Sequence, residues 1–313
     1  MAFLEIKDLK VHFPIRGGFF NTIQDYVYAV DGVNMVIEEG KTYGLIGESG
    51  SGKSTIGKAI VGLEKITSGK IIYNGKDVTK IKDRKNTDYK SDIQMIFQDS
   101  MSSLDPKKRV VDILGEPLRN LEKMDKQKEQ RRIKDLLDIV GMPSDAIYKY
   151  PHEFSGGQRQ RIGVARAIAC KPKLIIADEP VSALDLSVQA QVLNYMKEIQ
   201  KALNISYIFI SHDLGVVKHM CDYINIMHRG KFVETGNKED IYKHPEHIYT
   251  KRLIAAIPEI KPSERDELRE RRLKVEKEFL EKEKYYYDSK GKVYDLVKYN
   301  DTHYVAEKKE VAK

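Results

Sequence analysis

The chain has 313 residues, with 54 Lys+Arg against 47 Asp+Glu, a formal net charge of +7, and 41% of it is hydrophobic. That supplies a sizeable core and a length of about two domain-sized units. A mean hydropathy of −0.50, with no apolar run near the roughly 18 residues a membrane-spanning helix needs, excludes a membrane-embedded chain. Glu5 and Asp8 fall where a signal peptide needs an apolar stretch. Cys170 and Cys221 cannot build a disulfide framework, so they are expected as small apolar core residues of a soluble, intracellular protein. The basic excess is spread in short runs such as Lys107-Lys108-Arg109, Lys251-Arg252 and Arg271-Arg272, each diluted by acids. A solvated surface is the expectation, or a face toward anionic lipid or a membrane partner, and not nucleic acid.

To about residue 80 the pattern is strand-like. Leu4-Glu5-Ile6 and Val33-Asn34-Met35-Val36-Ile37 alternate apolar and polar residues, and Asp31-Gly32 and Glu39-Gly40 read as bounding turns. Pro14 to Asp25, with Gly17-Gly18, reads as an irregular insertion. Thr42 to Ile46 is a short buried strand running into a glycine-rich loop, and Ser54 to Leu63 has helical spacing.

Asp92 to Phe97 is the next strand, followed by helical patterns over Val111–Val140 and Gly156–Ala169. Leu174–Ala177 and Tyr207–Ile210 are buried strands joined by a helical crossover over Val188–Leu203, which marks a parallel α/β sheet. Tyr223–Met227 and Lys231–Glu234 form a hairpin turning at Arg229-Gly230. From Pro262 the character changes: Lys261 to Lys284 holds 9 Lys+Arg and 8 Asp+Glu, with sparse Leu268, Leu273, Val275, Phe279 and Leu280. That is a solvated or weakly amphipathic helix, and residues 261–313 read as a charged extension that adds little stability. Leu273 and Leu280, seven apart, are a candidate docking seam.

Gly47-Glu48-Ser49-Gly50-Ser51-Gly52-Lys53-Ser54 fits G-x-x-x-x-G-K-[ST], the P-loop, and stands between a buried strand and a helix. Its glycines let backbone N–H groups wrap phosphates, Lys53 adds a point charge, and the Ser54 hydroxyl can ligate Mg²⁺. Thr55 follows at the helix start. Asp178, ending the strand Leu174–Ala177, is the acid such a site needs to hold Mg²⁺ through water, and Glu179 is placed to polarise an attacking water.

Phe154-Ser155-Gly156-Gly157-Gln158-Arg159-Gln160-Arg161 resembles the LSGGQ signature of ATP-binding cassette (ABC) ATPases, with Phe154 for the usual Leu. The resemblance covers about residues 3 to 260. It implies an α/β P-loop NTPase core with an antiparallel β layer and an inserted helical subdomain at about 100–170. It also implies that Ser155, Gly156, Gly157 and Gln158 serve a nucleotide held by the opposite subunit. Gln98 resembles the Q-loop glutamine, which touches Mg²⁺ and water and adjoins the transmembrane partner. Ser182-Ala183-Leu184-Asp185 resembles the D-loop, and His212 the switch histidine. Phe13, with Tyr28 second, is the candidate for stacking on adenine.

Within that family the chain is similar to ATPase subunits of oligopeptide importers. Gln98-Asp99-Ser100-Met101-Ser102-Ser103-Leu104-Asp105-Pro106 resembles that group's QDPxxSLNP stretch, departing at Ser100 and Asp105. His244-Pro245-Glu246-His247-Ile248-Tyr249-Thr250 resembles its HPYT element, with Ile248 for Pro. The resemblance implies an ATPase driving peptide uptake, at the cytoplasmic face of the cell membrane. Its implied partners are a paralogous ATPase subunit, two transmembrane permease subunits and, indirectly, an extracytoplasmic peptide-binding protein. ATP and Mg²⁺ are the implied cofactors. No iron–sulfur cluster is expected, because no cysteine follows Cys221. Dipeptide or nickel remains open as the solute. A soluble non-transport ABC ATPase fits less well, because there is one P-loop and only 57 positions separate Gln98 from Ser155.

Overall fold

The computed structural model describes residues 2–85, 87–99, 103–257 and 265–308. Ser100, Met101 and Ser102 of the stretch after Gln98 lie outside the described residues, as do Pro262 and the side chain of Leu268.

The chain opens with β1 (Ala2–Gly17) and β2 (Thr22–Glu38), then β3 (Thr42–Ile46), α1 (Lys53–Val61), β4 (Ser68–Tyr73) and β5 (Lys76–Asp77). β1 and β2 form one long antiparallel hairpin, and with β4 and β5 they make a four-stranded sheet in the order β2-β1-β4-β5. The expected insertion at Pro14–Asp25 is instead the far end of this hairpin. Pro14 pairs with Tyr26, while β4 reaches along β1 only to the Lys10–Ser68 pair, so the missing proline N–H falls on an edge. The Asp31-Gly32 turn signal is likewise internal to β2. It marks a bulge, where Gly32 at φ 91° faces Asp8 at φ 47°.

α2 (Tyr89–Asp92) leads into β6 (Ile93–Ile96), and α3 (Val110–Pro117), α4 (Lys126–Ile139) and α5 (Gly156–Ala167) follow before β7 (Leu174–Asp178). The single helical stretch expected over 111–140 is broken in two. Pro117 closes α3, a π-turn over Leu118–Glu122 follows, Lys123 turns left-handed at φ 50°, and Asp125 caps α4 by accepting from the Gln127 and Lys128 amides. Val110, Leu114, Leu118, Ile133, Leu137 and Ile162 are the buried face of this helical layer.

α6 (Leu186–Leu203) crosses back to β8 (Ser206–Ser211), then come α7 (Leu214–Met220), β9 (Tyr223–His228), β10 (Lys231–Asn237), α8 (Lys238–Lys243) and α9 (Ile248–Ala255). β6, β7, β8, β3 and β9 run parallel, and β10 returns antiparallel through the turn at Arg229-Gly230. The carboxyl ends of β3, β7 and β8 therefore open on one edge, where an open α/β sheet binds ligand.

The tail differs from the expectation. After α10 (Arg265–Tyr286), β11 (Leu296–Lys298) and β12 (Tyr304–Ala306) add to the main sheet, giving the order β11-β12-β10-β9-β3-β8-β7-β6. Phe279, Tyr287, Val293 and Ala306 are buried in the same core as the parallel strands, and Arg252 covers the Phe279 ring at 4.9 Å. This tail is part of the fold, not a solvated appendage. The apolar residues are too sparse to show a stripe, because the burial comes largely from tyrosines, a histidine and short strands. Leu273 and Leu280 face outward, 64% and 69% exposed. Cys170 and Cys221 are both buried, and burial pushes the Cys170 thiol up to about 11.

Candidate functional site

β3 ends where the P-loop begins, and the loop curls because its glycines take angles other residues avoid: Gly50 at φ 80° and Gly52 at φ 110°. Gly52 is also tight against β2, since a Cβ there would come within 2.0 Å of the Ala29 carbonyl. Lys53, the first residue of α1, is 5% exposed, and its ammonium donates to the Gly47 and Glu48 carbonyls, both at 2.8 Å. Burial lowers its pKa, with the carboxylates of Glu179, Asp178 and Glu48 opposing. Ser49 and Gly50 stand exposed at the crest, and Thr55 is half-buried one residue past Ser54.

Asp178 closes β7, and its Oδ1 accepts from the Ser54 hydroxyl at 2.7 Å. It is buried, and desolvation raises its pKa against the lowering effect of that hydrogen bond. Glu179, next in the chain, sits left-handed at φ 46°, and its amide is tied to the Ile210 carbonyl of β8 at 3.0 Å. Two side chains from other strand ends converge on its carboxylate. Gln98 donates from beyond β6 at 2.9 Å, and His212 Nδ1 approaches from beyond β8 at 3.1 Å. Hydroxyl, carboxylate and amide oxygens at Ser54, Asp178 and Gln98 form the hard donor set that Mg²⁺ takes.

The SGGQ segment lies apart from this cluster. Ser155 caps α5 in a reciprocal box, its hydroxyl accepting from the Gln158 amide at 3.3 Å while Gln158 Oε1 accepts from the Ser155 amide at 3.0 Å. Gly157 leaves no room for a side chain, since a Cβ would come within 2.4 Å of Val188, and Gly156 packs toward Leu184. Phe154 is buried, so the larger ring fills core volume. Among the described residues no hydrogen bond joins Ser155–Gln158 to Gly47–Ser54. Asp185 is exposed at the N-terminus of α6.

Phe13, on the hairpin opposite Val27, is 38% exposed. The Tyr28 ring is already engaged, edge-on to His12 at 4.6 Å and under the Lys292 ammonium at 4.9 Å. Between β6 and the helical layer runs an open groove of about 710 Å³, lined by Leu63, Met95, Phe97, Ile113, Leu121 and Arg166.

Sequence reasoning missed a contact on the loop's outer side. The buried Tyr249 hydroxyl accepts from the Glu48 amide at 3.1 Å, and the Gly230 amide donates to the Ser51 carbonyl at 3.1 Å. The tyrosine of the HPEHIYT string was visible, but nothing in the string says what its hydroxyl meets.

A parallel sheet with a P-loop, a strand-end acid pair and a signature helix defines an ATP-binding cassette ATPase. Residues 30–182 match the family model described as ABC transporter, and residues 233–289 match the one described as Oligopeptide/dipeptide transporter, C-terminal region. The chain is 60% identical to "Oligopeptide transport ATP-binding protein OppF" of Lactococcus lactis subsp. lactis (strain IL1403), covering 97% of this chain and 95% of that protein. It is 52% identical to "Dipeptide transport ATP-binding protein DppF" of Lactococcus lactis subsp. cremoris (strain MG1363), over 75% of this chain and 76% of that one. A solved dimeric ATP-binding cassette, MJ0796 in a post-hydrolysis state bound to ADP and Pi, superposes with a TM-score of 0.66 at 25% identity, covering 75% of this chain and 98% of the other. The chain belongs to the family of ABC transporter ATP-binding proteins of the oligopeptide/dipeptide group.

Proposed function

We propose that this chain is the ATP-hydrolysing subunit that energises import of oligopeptides through a membrane permease. Among the described residues no helix is long and apolar enough to cross a membrane. In this reading the chain acts as a peripheral subunit, at the cytoplasmic face of the cell membrane. The observation that carries the reading is the convergence of Gln98 and His212 on Glu179, beside the Ser54–Asp178 pair, at one sheet edge.

In this reading Lys53 and the loop amides from Gly50 to Ser54 that turn inward hold the β- and γ-phosphates, and Phe13 stacks on adenine. Mg²⁺ would be held by Ser54 and Gln98, with Asp178 acting through water, and when bound it neutralises charge on the phosphates. Glu179 accepts hydrogen bonds from two side chains that can release it, so it is positioned to orient and polarise water. His212 contacts the γ-phosphate as charge develops there. Ser155, Gly156, Gly157 and Gln158 offer a helix N-terminus to the γ-phosphate of the opposite subunit, a paralogue, with Asp185 beside that interface. The groove next to Gln98 receives a permease helix, so closure on ATP moves one of two permease subunits fed by an extracytoplasmic peptide-binding protein.

Glu179→Gln keeps the shape of the site and removes the charge that polarises water. Turnover of the assembled transporter should fall by about 100-fold or more while ATP still binds, and a nucleotide-sandwiched dimer should accumulate in size-exclusion chromatography. Near-normal turnover would remove Glu179 from its role.

A further inference from the structure

The P-loop is gripped from outside by residues that the chemistry above does not use. Tyr249, at the start of α9, is fully buried, and its hydroxyl takes the Glu48 amide at 3.1 Å. Burial pushes this phenol up to about 12, so it remains a neutral hydroxyl able to accept that bond. Its ring lies flat on His228 at 4.1 Å with an interplanar angle of 17°. Burial pulls His228 down to about 4, so the imidazole is neutral, and its Nδ1 shares a 2.8 Å hydrogen bond with the Tyr287 hydroxyl. Tyr287 belongs to the C-terminal tail, just beyond α10.

A second contact runs in parallel. Gly230 donates to the Ser51 carbonyl, and its neighbour Arg229 is held by the tail: it donates to the Gly291 carbonyl at 2.9 Å and covers the Tyr287 ring at 5.0 Å. The loop has no slack on this side, because a Cβ on Gly47 would come within 2.2 Å of the Met227 carbonyl.

From this geometry we infer that Tyr249 is a positioning residue for the phosphate loop, and that the C-terminal tail, through Tyr287 and His228, sets nucleotide affinity by holding Tyr249 in place. A phosphate cradle made of backbone amides binds well only if its peptides already point inward before the anion arrives. The Gly47–Glu48 peptide that opens the loop is held by two partners, Lys53 on the Gly47 carbonyl and Tyr249 on the Glu48 amide. Lys53 is free to exchange its carbonyl bond for phosphate. Tyr249 is not, so it preserves the loop's shape when the lysine leaves. The tail thereby gains a route to the nucleotide without touching it.

The inference rests on the reading of Gly47–Ser54 as the phosphate site, and the test separates the two. ATP, ADP and adenosine binding to the full-length chain is measured by calorimetry for Tyr249→Phe, Tyr287→Phe and Lys53→Ala. Tyr249→Phe keeps the ring on His228 and loses only the hydroxyl, so ATP and ADP should bind roughly threefold to tenfold more weakly, with adenosine unchanged. Tyr287→Phe should shift ATP and ADP the same way by about twofold to threefold, with its unfolding midpoint little moved. A merely structural defect would weaken adenosine as well. If Lys53→Ala loses ATP while Tyr249→Phe binds ATP like the parent, the phosphate site stands and this proposal is overturned. If Lys53→Ala binds ATP normally, the underlying reading has failed and the proposal goes with it. Should Tyr249→Phe not fold, Tyr287→Phe decides: parental ATP and ADP affinity there refutes the link to the tail.

Discussion

Two carboxylate–histidine pairs stand on this sheet, and their surroundings give the same chemistry opposite uses. Glu179 and His212 meet at 3.1 Å on the ligand edge, with the histidine side chain 60% exposed. Glu234 of β10 and His303, beside β12, meet at 2.6 Å with side chains 0% and 1% exposed. Glu234 also accepts the amides of Glu246 and His247, at 2.8 and 3.1 Å, so one carboxylate ties β10, the start of α9 and the tail together. The open carboxylate has two side-chain donors that can swing away. The sealed one has two backbone donors that cannot. Burial turns a reactive pair into a staple.

The largest expected effect is on the staple. Glu234→Ala leaves an imidazole and two amides without an acceptor in a site shut from water, which costs about 3–5 kcal/mol of unfolding free energy. Urea unfolding of the full-length variant measures it. A change below about 1 kcal/mol would mean that the sealed pair is no more structural than an exposed one, and the contrast would collapse.

The two regions also differ in how far they could be read in advance. The ligand edge is written in contiguous strings, because a P-loop needs its glycines and lysine adjacent and an acid pair needs only the end of one strand. The tail is written in partners far apart in the chain, such as Glu234 with His303 and His228 with Tyr287. No local periodicity reports such pairs. The effect of a proline depends on whether its missing N–H had a partner. Pro14 is harmless on an unpaired edge, whereas Pro117 ends a helix. Phe154 departs from the signature at a buried position, where volume rather than chemistry decides.

Acid should separate the regions next. Burial lowers His228 to about 4 and His247 to about 3, while Glu234 raises His303. Between pH 6.5 and about 4 the unfolded chain binds protons on His228 and His247 that the folded chain refuses, so stability falls as pH falls. The slope is up to about 1.4 kcal/mol per pH unit for each group. For His303 the sign reverses: its contribution is complete below about 6.5 and is lost as pH rises through its raised value. Unfolding midpoints across this range should therefore peak near neutrality. His247→Gln should flatten the acid limb and His303→Gln the alkaline limb. An unchanged acid limb in His247→Gln would show that this buried imidazole takes up protons freely when folded.

The smallest effect belongs to the open pair. His212 is mostly solvated, and its bond to Glu179 competes with water at every moment. Exposed ion pairs contribute about 0–1 kcal/mol, and salt screens what remains. His212→Gln should accordingly move the unfolding free energy by less than about 1 kcal/mol, with no dependence on ionic strength beyond that of the parent. Turnover in the assembled transporter should still fall under the proposed role, because glutamine can reach Glu179 but lacks the imidazole ring nitrogen that would meet the γ-phosphate. Stability and turnover must therefore part company in this one variant, whereas Glu234→Ala should change stability first and turnover only through the fraction that remains folded. If His212→Gln destabilised the chain as strongly as Glu234→Ala, the open pair would be a second staple, and Glu179 would lack the freedom that the proposed water-polarising role requires.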